Sequence, residues 1–334
     1  MRKSKITSSF LTLISLFFIA QFTIAQSITG EYAIMFYNVE NLFDCENDSQ
    51  KQDDEFTPDG NKNWNNYRLY NKIKGLGRTI VAVNEWNPPA IIGLCEVEND
   101  DILKKLIYST GLYNLNYKYI HYESMDKRGI DVALLYRKGF SPIKSSPILL
   151  SDTTEHFFTR DALYVKGAIS GDTLHIIVNH WPSKRGGELA SETKREMVAK
   201  VIASKIDSIK HTDQHAKLVI IGDFNAEMNS PSLQYLLTRS KTDSQLKARE
   251  IRMDKVQGSH KYKGTWSLID HILISETWLN NPVYGFDHRI VSLPFLLETD
   301  NTYSGSKPHR TYTGPRYVGG ISDHLPVIIK IHKN

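Results

Sequence analysis

Short apolar runs, separated by polar segments, recur along the whole chain. Their length and their content of β-branched residues are typical of buried strands. Leu218–Ile221, for example, is four consecutive branched side chains and predicts a strand covered on both faces. The other runs that predict strands are Ala33–Asn41, Ala90–Cys95, Tyr117–Tyr122, Val132–Tyr136, a strand opening at Arg160, Leu174–Pro182, Ser267–Ile274 and Val327–Ile331.

A second pattern, with apolar residues three or four positions apart, predicts amphipathic helices. Between Leu69 and Val83 the apolar spacings are four, three, four and three. Further helices are predicted at 101–109 and 191–210, and Ser230 followed by Pro231 is a typical helix start. Helices alternate with strands at first, while strands follow one another in the middle of the chain. This order favours a mixed α/β sandwich over an all-parallel sheet.

The first 25 residues have the layout of a secretory signal peptide. Arg2, Lys3 and Lys5 precede an apolar stretch that ends in Thr23-Ile24-Ala25. We therefore expect residues 1–25 to be removed and the mature protein to be secreted or periplasmic. No later run is long and apolar enough for a bilayer span, so we expect no stable membrane anchor.

Removal of this leader changes the charge balance. The chain has 41 Lys and Arg against 37 Asp and Glu, and the leader takes three of the basic residues, which leaves 38 against 37. A nearly neutral protein has no broad electrostatic grip on nucleic acid, so phosphate binding must depend on locally placed cations. The two cysteines, Cys45 and Cys95, leave open whether they form a disulfide, and stability does not depend on one.

Polar residues with chemical potential follow several of the apolar runs. Asp223 and Asn225 lie two positions apart after the Leu218 run, so both side chains point to one side of an extended backbone. Asn38 and Glu40 repeat this spacing after the first run. The other candidates at strand ends are Glu96, His180, Asp270, Asp323 and His324.

Such a set of oxygen ligands suits a hard divalent cation. Carboxylates without clustered cysteines favour Mg²⁺ or Mn²⁺, with Ca²⁺ as the alternative, over a structural zinc ion. A cation of this kind polarises P–O bonds, and two histidines can move protons or bind phosphoryl oxygens. The residues therefore predict hydrolysis of a phosphate ester.

Six short motifs, in this order, resemble those of the endonuclease/exonuclease/phosphatase superfamily, whose fold is that of DNase I-like nucleases. Together they cover nearly the whole predicted mature chain, and six in the family's order are far more specific than any one. The motifs are Tyr37–Leu42, Gly93–Val97, Asn179–Ser183, Gly222–Ala226, Ile269–Leu273 and Ser322–Pro326. The resemblance implies one domain over residues 26–334, a four-layered α/β sandwich of two central mixed or antiparallel β-sheets flanked by helices.

The resemblance also implies roles for the site residues. Glu96 would be the principal metal ligand, with Asn38, Glu40 and Asp323 beside it. Asp223 would orient or deprotonate the attacking water, and Asn225 would hold phosphate or a second ion. His324, fixed by Asp270, would contact the scissile phosphate, with His180 opposite as acid or phosphate ligand; which histidine is the acid stays open. Glu123 and Asp126 are the candidates for a carboxylate partner of His180.

The favoured function is an exported phosphodiesterase that acts as an endonuclease on DNA or RNA. The alternatives are a phospholipid head-group phosphodiesterase or a phosphomonoesterase, which other members of the superfamily are. A non-catalytic binding protein on the same scaffold is disfavoured because each implied position holds a competent residue. We expect a monomer whose substrate contacts are Arg128, Arg160, Arg310, Tyr312 and Tyr317.

Overall fold

The computed structural model describes residues 30–85, 87–151, 157–184, 187–238, 246–253 and 255–334. The predicted leader, residues 1–25, lies outside the described residues. The strands in chain order are β1 Tyr32–Leu42, β2 Ile91–Val97, β3 Lys118–His121, β4 Asp131–Tyr136, β5 Phe140–Ile148, β6 Ala162–Ile169, β7 Asp172–His180, β8 Lys217–Asp223, β9 Leu246–Ala248, β10 His260–Tyr262, β11 Thr265–Ser267, β12 Asp270–Ser275, β13 Tyr284–Ile290, β14 Leu297–Thr299, β15 Ser306–Pro308, β16 Tyr312–Thr313, β17 Arg316–Tyr317 and β18 Val327–Lys333. The helices are α1 Asn66–Ala82, α2 Asp100–Tyr108, α3 Glu188–Thr212, α4 Pro231–Thr238 and α5 Glu276–Leu279, with 3-10 turns at Asp54–Phe56, Tyr113–Leu115 and Pro294–Leu296.

Two six-stranded mixed sheets form the centre of the molecule. The first has the strand order β13-β18-β1-β2-β4-β3, with β1 and β2 parallel and the other pairs antiparallel. The second has the order β5-β6-β7-β8-β12-β9, with β7 and β8 as its parallel pair. Each sheet therefore has one parallel pair near its middle, where neighbouring strands end at the same edge.

Burial on both faces of the central strands explains their apolar sequences. In β8, Val219 and Ile221 belong to the apolar core shared with the first sheet, whereas Leu218 and Ile220 pack with residues of α3 and α4. Helices α1 and α2 contribute their apolar faces to the core of the first sheet. The layers are thus helices, sheet, sheet and helices, which confirms the predicted four-layered sandwich.

The sheets approach closely at a glycine. A β-carbon on Gly93 of β2 would lie 2.6 Å from Cδ1 of Ile221 on β8, so the absence of a side chain lets the two layers meet there. This contact lies close to the strand ends that carry the polar motifs. Backbone packing at this position therefore sets how far apart the site residues of the two sheets can be.

Several strands escaped the sequence prediction because their hydrophobic pattern is weak. Strand β5 contains Pro142 and Pro147, which a sheet tolerates because β5 is an edge strand. Strand β13, also at an edge, is Tyr-Gly-Phe-Asp-His-Arg-Ile and lacks an apolar run. The segment 238–264, expected to be irregular, contributes β9 and β10. Edge strands bury only part of their surface and so carry a weaker hydrophobic signal.

Two further features of the fold concern the cysteines and the length of the helices. Cys45 and Cys95 are free thiols, and Cys95 is buried in β2. Within the described ranges, no helix combines the length and the apolar character needed to span a membrane.

Candidate active site

The site begins where β1, β2 and β8 end between the two sheets. Asn38 of β1 donates from its side-chain amide to Glu96 Oε1 at 3.3 Å and to Asp223 Oδ2 at 3.0 Å. Asn38 and Glu96 belong to the parallel pair of the first sheet, and Asp223 ends β8 of the second. One amide therefore joins carboxylates from both sheets, and three of the sequence motifs meet at this point.

Local backbone distortion aims these side chains. Glu40, Asn41, Glu96 and Asn225 all have positive φ angles, between 48° and 62°, which residues with a β-carbon seldom adopt. Glu96 also lies at a shift in the register between β2 and β4, and its Oε2 accepts the backbone N–H of Asn41 at 2.8 Å. Strained backbone of this kind is stable only where the surrounding packing holds it in place, and it is concentrated at functional sites.

His324 approaches the group from the loop before β18 and is oriented by Asp270. Its Nδ1 lies 2.8 Å from Asp270 Oδ2, which also accepts the hydroxyl of Ser259. Its Nε2 faces the Asn38 amide at 3.5 Å and Asp223 Oδ2 at 3.8 Å. Burial opposes a charge on this ring, but the Asp270 carboxylate outweighs burial and raises the pKa of His324 well above its ordinary value. These surroundings therefore favour an imidazolium here.

His180, at the end of β7, has the opposite environment. Its Nε2 lies 2.9 Å from the Arg160 guanidinium, 3.7 Å from Asp223 Oδ2 and 3.8 Å from Glu96 Oε1. Since arginine only donates, Nε2 must accept, and the ring proton is on Nδ1. Burial, followed by repulsion from Arg160, lowers the pKa of His180 well below its ordinary value. This histidine is held neutral.

Arg160 is buried at the centre of the site rather than exposed along a groove. It donates to the backbone carbonyls of His180 and Trp181, both at 3.1 Å, and pairs with Asp126 Oδ2 at 3.3 Å. The carboxylate that the resemblance implies for His180 is thus not bound to the ring directly. Asp126 reaches the histidine through Arg160, and His180 Nδ1 has no hydrogen-bond partner among the described residues.

Asp223 and Asn225 form the turn at the end of β8. Asp223 Oδ1 accepts the backbone N–H of Asn225 at 2.8 Å, and the Asn225 amide donates to the Trp181 carbonyl at 3.0 Å. Burial, together with the nearby Asp270, raises the pKa of Asp223 to about 7. Such a carboxylate exchanges a proton at neutral pH, a property that general bases need.

The donor set fits a divalent cation. Asp223, Asp270 and His324 offer ligand atoms that all lie within 4.8 Å of one another, and Asp270 Oδ1 is buried with no hydrogen-bond partner among the described residues. Glu96 adds a further carboxylate. Its Oε1 lies 3.8 Å from His180 Nε2, the nitrogen that also faces Asp223. Several buried carboxylate oxygens around one point call for a positive charge, and oxygen ligands select Mg²⁺, Mn²⁺ or Ca²⁺.

Glu40 and Asp323 lie in an adjacent ion network. Glu40 Oε2 accepts the Thr311 backbone N–H at 2.7 Å, and Asp323 Oδ2 accepts from Arg310 at 2.6 Å. Burial, followed by repulsion from Asp323, raises the pKa of Glu40 to about 7. Asp323 Oδ1 lies 4.0 Å from His324 Nε2. This network therefore borders the central group of Asn38, Glu96 and Asp223 on the His324 side.

The residues predicted to contact substrate have different surroundings. Arg310 pairs with Asp323, and the half-buried Arg128 lies 3.7 Å from Asp126. Tyr312 is buried: its hydroxyl donates to the Lys62 carbonyl at 2.9 Å and its ring packs near Phe56, Trp64 and Tyr317. Tyr317 contacts the guanidinium of Arg68 at 4.6 Å. Both tyrosines therefore lie in a cluster of packed aromatic rings.

Three neighbours of the site were missed in the sequence. Lys72 of α1 is buried and donates to Thr311 Oγ1 at 2.7 Å and to the Ile321 carbonyl at 2.8 Å. Burial lowers the pKa of Lys72 to about 8. Its position three residues after Leu69, on the apolar face of the helix, was a usable signal. Ser259, which holds Asp270, carried no such signal, whereas Ser322, which accepts the His324 backbone N–H, opens the last of the six motifs but had no assigned role.

Comparison with known proteins gives the same architecture. A crystal structure of an endonuclease/exonuclease/phosphatase family protein from Bacteroides thetaiotaomicron superposes with a TM-score of 0.58 at 17% identity, covering 91% of this chain and 95% of that one. The mannosyl-6-phosphatase of the same organism gives 0.56 at 17% identity, covering 90% and 99%. The human Nocturnin catalytic domain with bound sulfate gives 0.53 at 17% identity, covering 92% and 96%.

At these identities the superpositions establish the fold alone, and the sequence comparison establishes the family. A search of curated protein sequences found no match. The profile described as "Endonuclease/Exonuclease/phosphatase family" matches residues 33–333, nearly the entire described chain. Together with the two mixed sheets and the polar strand ends between them, this match assigns the chain to the endonuclease/exonuclease/phosphatase family of phosphate ester hydrolases.

Proposed function

We propose that the protein is an exported, divalent-cation-dependent phosphodiesterase that cleaves DNA or RNA as an endonuclease. The observation that carries the proposal is the convergence of Asn38, Glu96, Asp223, His180 and His324 between the two sheets. Export rests on the signal layout of residues 1–25.

The cation would be held by Glu96, the principal ligand implied by the resemblance, and when bound it would polarise the phosphoryl group and stabilise the leaving oxygen. Asp223, whose pKa is about 7, accepts a proton from the attacking water. His324, kept charged by Asp270, donates a hydrogen bond to a phosphoryl oxygen. Arg160 and the neutral His180 complete the opposite wall, where the guanidinium contributes positive charge.

A phosphomonoesterase is the second candidate, favoured by a small cavity beside Asp323. This cavity of about 170 Å³ is lined by Lys261, Tyr262, Lys263, Arg310 and Asp323 among others. Its size and polarity suit a small polar alcohol group better than a polymer. The superposition with a mannosyl-6-phosphatase supports the same candidate at the level of the fold.

A substrate panel separates the candidates. Plasmid DNA, single-stranded RNA, sphingomyelin and mannose 6-phosphate are each incubated with the purified chain in Mg²⁺, Mn²⁺ or EDTA. The proposal expects nicked plasmid or shortened RNA with a divalent cation and none in EDTA. Release of phosphate from the monoester alone would reject the nuclease and support the second candidate, and lipid cleavage alone would reject both.

Variants locate the activity within the site. Glu96→Gln and His324→Ala should each lower turnover roughly 10³-fold, because they remove a cation ligand and a phosphate contact. Glu227→Gln, at an exposed glutamate after the same strand end as Asp223, is the control and should retain wild-type turnover. Circular dichroism checks that each variant is folded. Wild-type rates in either site variant would place the chemistry elsewhere.

A further inference from the structure

A second group of ligand-type side chains lies at the outer edge of the first sheet. In the ladder between β3 and β4, His121 pairs with Ala133. Asp131 precedes Ala133 by two positions and Glu123 follows His121 by two, so the period of a strand directs all three side chains to one face. Their ligand atoms lie within 4.8 Å of one another.

Asp131 is a buried carboxylate without the partners that burial requires. Its exposure is 2%, and neither carboxylate oxygen has a hydrogen-bond partner among the described residues. Among the described residues, the basic atom nearest to the Asp131 carboxylate is His121 Nε2, at 3.5 Å, and no Lys or Arg forms an ion pair with Asp131. Glu123 adds a second negative charge across the strand pair. A buried carboxylate that lacks hydrogen-bond partners, with a second carboxylate beside it, is stabilised by a cation.

His121 has the orientation of a metal ligand. Its Nδ1 lies 3.0 Å from Asp100 Oδ1 at the first residue of α2, so Nδ1–H donates to that carboxylate. Nε2 faces Asp131 Oδ2 at 3.5 Å, and a cation that binds there takes the place of the proton on this nitrogen. A carboxylate that fixes the tautomer of a histidine from behind is the usual arrangement around metal-bound imidazoles.

The group is also accessible from solvent. A surface cavity of about 480 Å³ is lined by Asn99, Asp100, Asp101, His121, Tyr122 and Glu123. A cation can enter through it, and water can complete the coordination sphere.

We propose that His121, Glu123 and Asp131 bind a divalent cation at a site separate from the catalytic one. One imidazole and two carboxylates form a mixed nitrogen and oxygen donor set. This set selects a borderline transition metal such as Zn²⁺ or Co²⁺ over Mg²⁺ or Ca²⁺, which prefer oxygen alone.

The site has a structural consequence for the catalytic centre. Glu123 and Asp131 flank the loop that connects β3 and β4, and this loop carries Asp126. Asp126 pairs with Arg160 at 3.3 Å, and Arg160 contacts His180. A cation bound at the two stems of the loop fixes the loop, and with it the position of Arg160. Its role is therefore positioning, and the site does not depend on which phosphate ester the protein cleaves.

The test uses the full chain stripped with EDTA and returned to metal-free buffer, with Zn²⁺ and Co²⁺ as probes. The Glu96→Gln background weakens the catalytic site, so that titration calorimetry reports the second one. We expect one Zn²⁺ per chain, a Co²⁺ absorption band and a rise in Tm with Zn²⁺ in that background. Adding Glu123→Gln or Asp131→Asn should weaken Zn²⁺ binding roughly 100-fold and remove the rise in Tm.

Asp101→Asn is the matched control. Asp101 is an exposed acid that lines the same cavity and pairs with Lys104 at 2.7 Å, so its variant should bind Zn²⁺ as the background does. Because Glu123 is exposed, Glu123→Gln should fold normally, which circular dichroism verifies. Unchanged Zn²⁺ binding in both ligand variants would overturn the proposal. So would the absence of Zn²⁺ binding in the Glu96→Gln chain, since His121 would then serve only as a charged partner of Asp131.

Discussion

At the scale of single residues, two histidines of one site are held in opposite charge states by their neighbours. His324 has the Asp270 carboxylate on Nδ1, whereas His180 has the Arg160 guanidinium on Nε2. Groups whose environments push their pKa values apart are suited to different roles in acid and base chemistry. The two residue types are the same, so the difference between them arises entirely from contacts.

The Asp270 contact gives a first prediction at this scale. Asp270→Asn removes the charge that keeps His324 protonated and oriented, and we expect kcat to fall roughly 10³-fold with KM little changed. Steady-state kinetics on the substrate identified in the panel measure both constants. Asp287→Asn, at a surface aspartate of β13, serves as the control. A kcat within twofold of wild type for Asp270→Asn would contradict the assigned role.

At the scale of the elements, strand ends position the site and glycines set the spacing between strands. Gly222 of β8 lies beside Asn179 of β7, one residue before Asp223 and His180 respectively. A β-carbon at 222 would lie 2.6 Å from the Asn179 carbonyl oxygen, which is backbone and cannot rotate away. The spacing of the central parallel pair, and of the two catalytic candidates that end it, therefore depends on this glycine.

We accordingly predict that Gly222→Ala lowers the free energy of unfolding by about 1–3 kcal/mol through overpacking. Chemical denaturation measures the effect, and turnover should fall as well, because His180 and Asp223 would move apart. Gly111→Ala is the matched control, since a β-carbon there meets nothing within 4 Å. Equal stability of the two variants would show that β7 and β8 adjust without cost.

At the scale of the whole molecule, one segment links the outer edges of the two sheets. Strand β9 pairs with β12 in the second sheet, and Arg252 a few residues later hydrogen bonds to the backbone of His288 and Ile290 in β13 of the first. His288 is buried at this junction, with its Nδ1 3.2 Å from the Arg249 carbonyl. The closure of the sandwich on this side thus includes a buried, neutral histidine.

This junction predicts acid sensitivity. Burial lowers the pKa of His288 from 6.5 to about 4 in the folded protein. The stabilisation is complete above pH 6.5, the unfolded value, and is lost as the pH falls toward 4, because only the unfolded state then binds the proton. Between pH 7.5 and 4.5 this group should remove about 2 to 3 kcal/mol of stability.

Urea denaturation at the two pH values tests this expectation. His288→Gln cannot take up the proton, so its loss of stability between the two pH values should be smaller than that of wild type by the amount above. His215→Gln, at an exposed histidine, should follow the wild-type pH dependence. An identical pH dependence in His288→Gln would mean that the acid sensitivity lies in other groups.

The amino-acid sequence by itself determined the elements and the family. Central strands such as β8 are buried on both faces, so their apolar runs are continuous and easily recognised, and the spacing of Leu69 to Val83 predicted α1. The strand-end motifs indicated the residues that meet in space, because parallel neighbours end at the same edge of a sheet. Edge strands such as β5 and β13, which bury less, carried too little pattern to be predicted.

Only the tertiary structure decided which side chains contact one another. The sequence predicted Tyr312 as a substrate contact, but in the structure its ring packs against Phe56 and Trp64. Asp126 pairs with Arg160, and Arg160 in turn contacts His180. The charge states of the histidines, and the lack of hydrogen-bond partners for the Asp131 carboxylate among the described residues, depend on burial and on groups distant in the chain. Hydrophobic periodicity is a local property that the sequence records directly, whereas desolvation and ion pairing arise only when distant segments pack together.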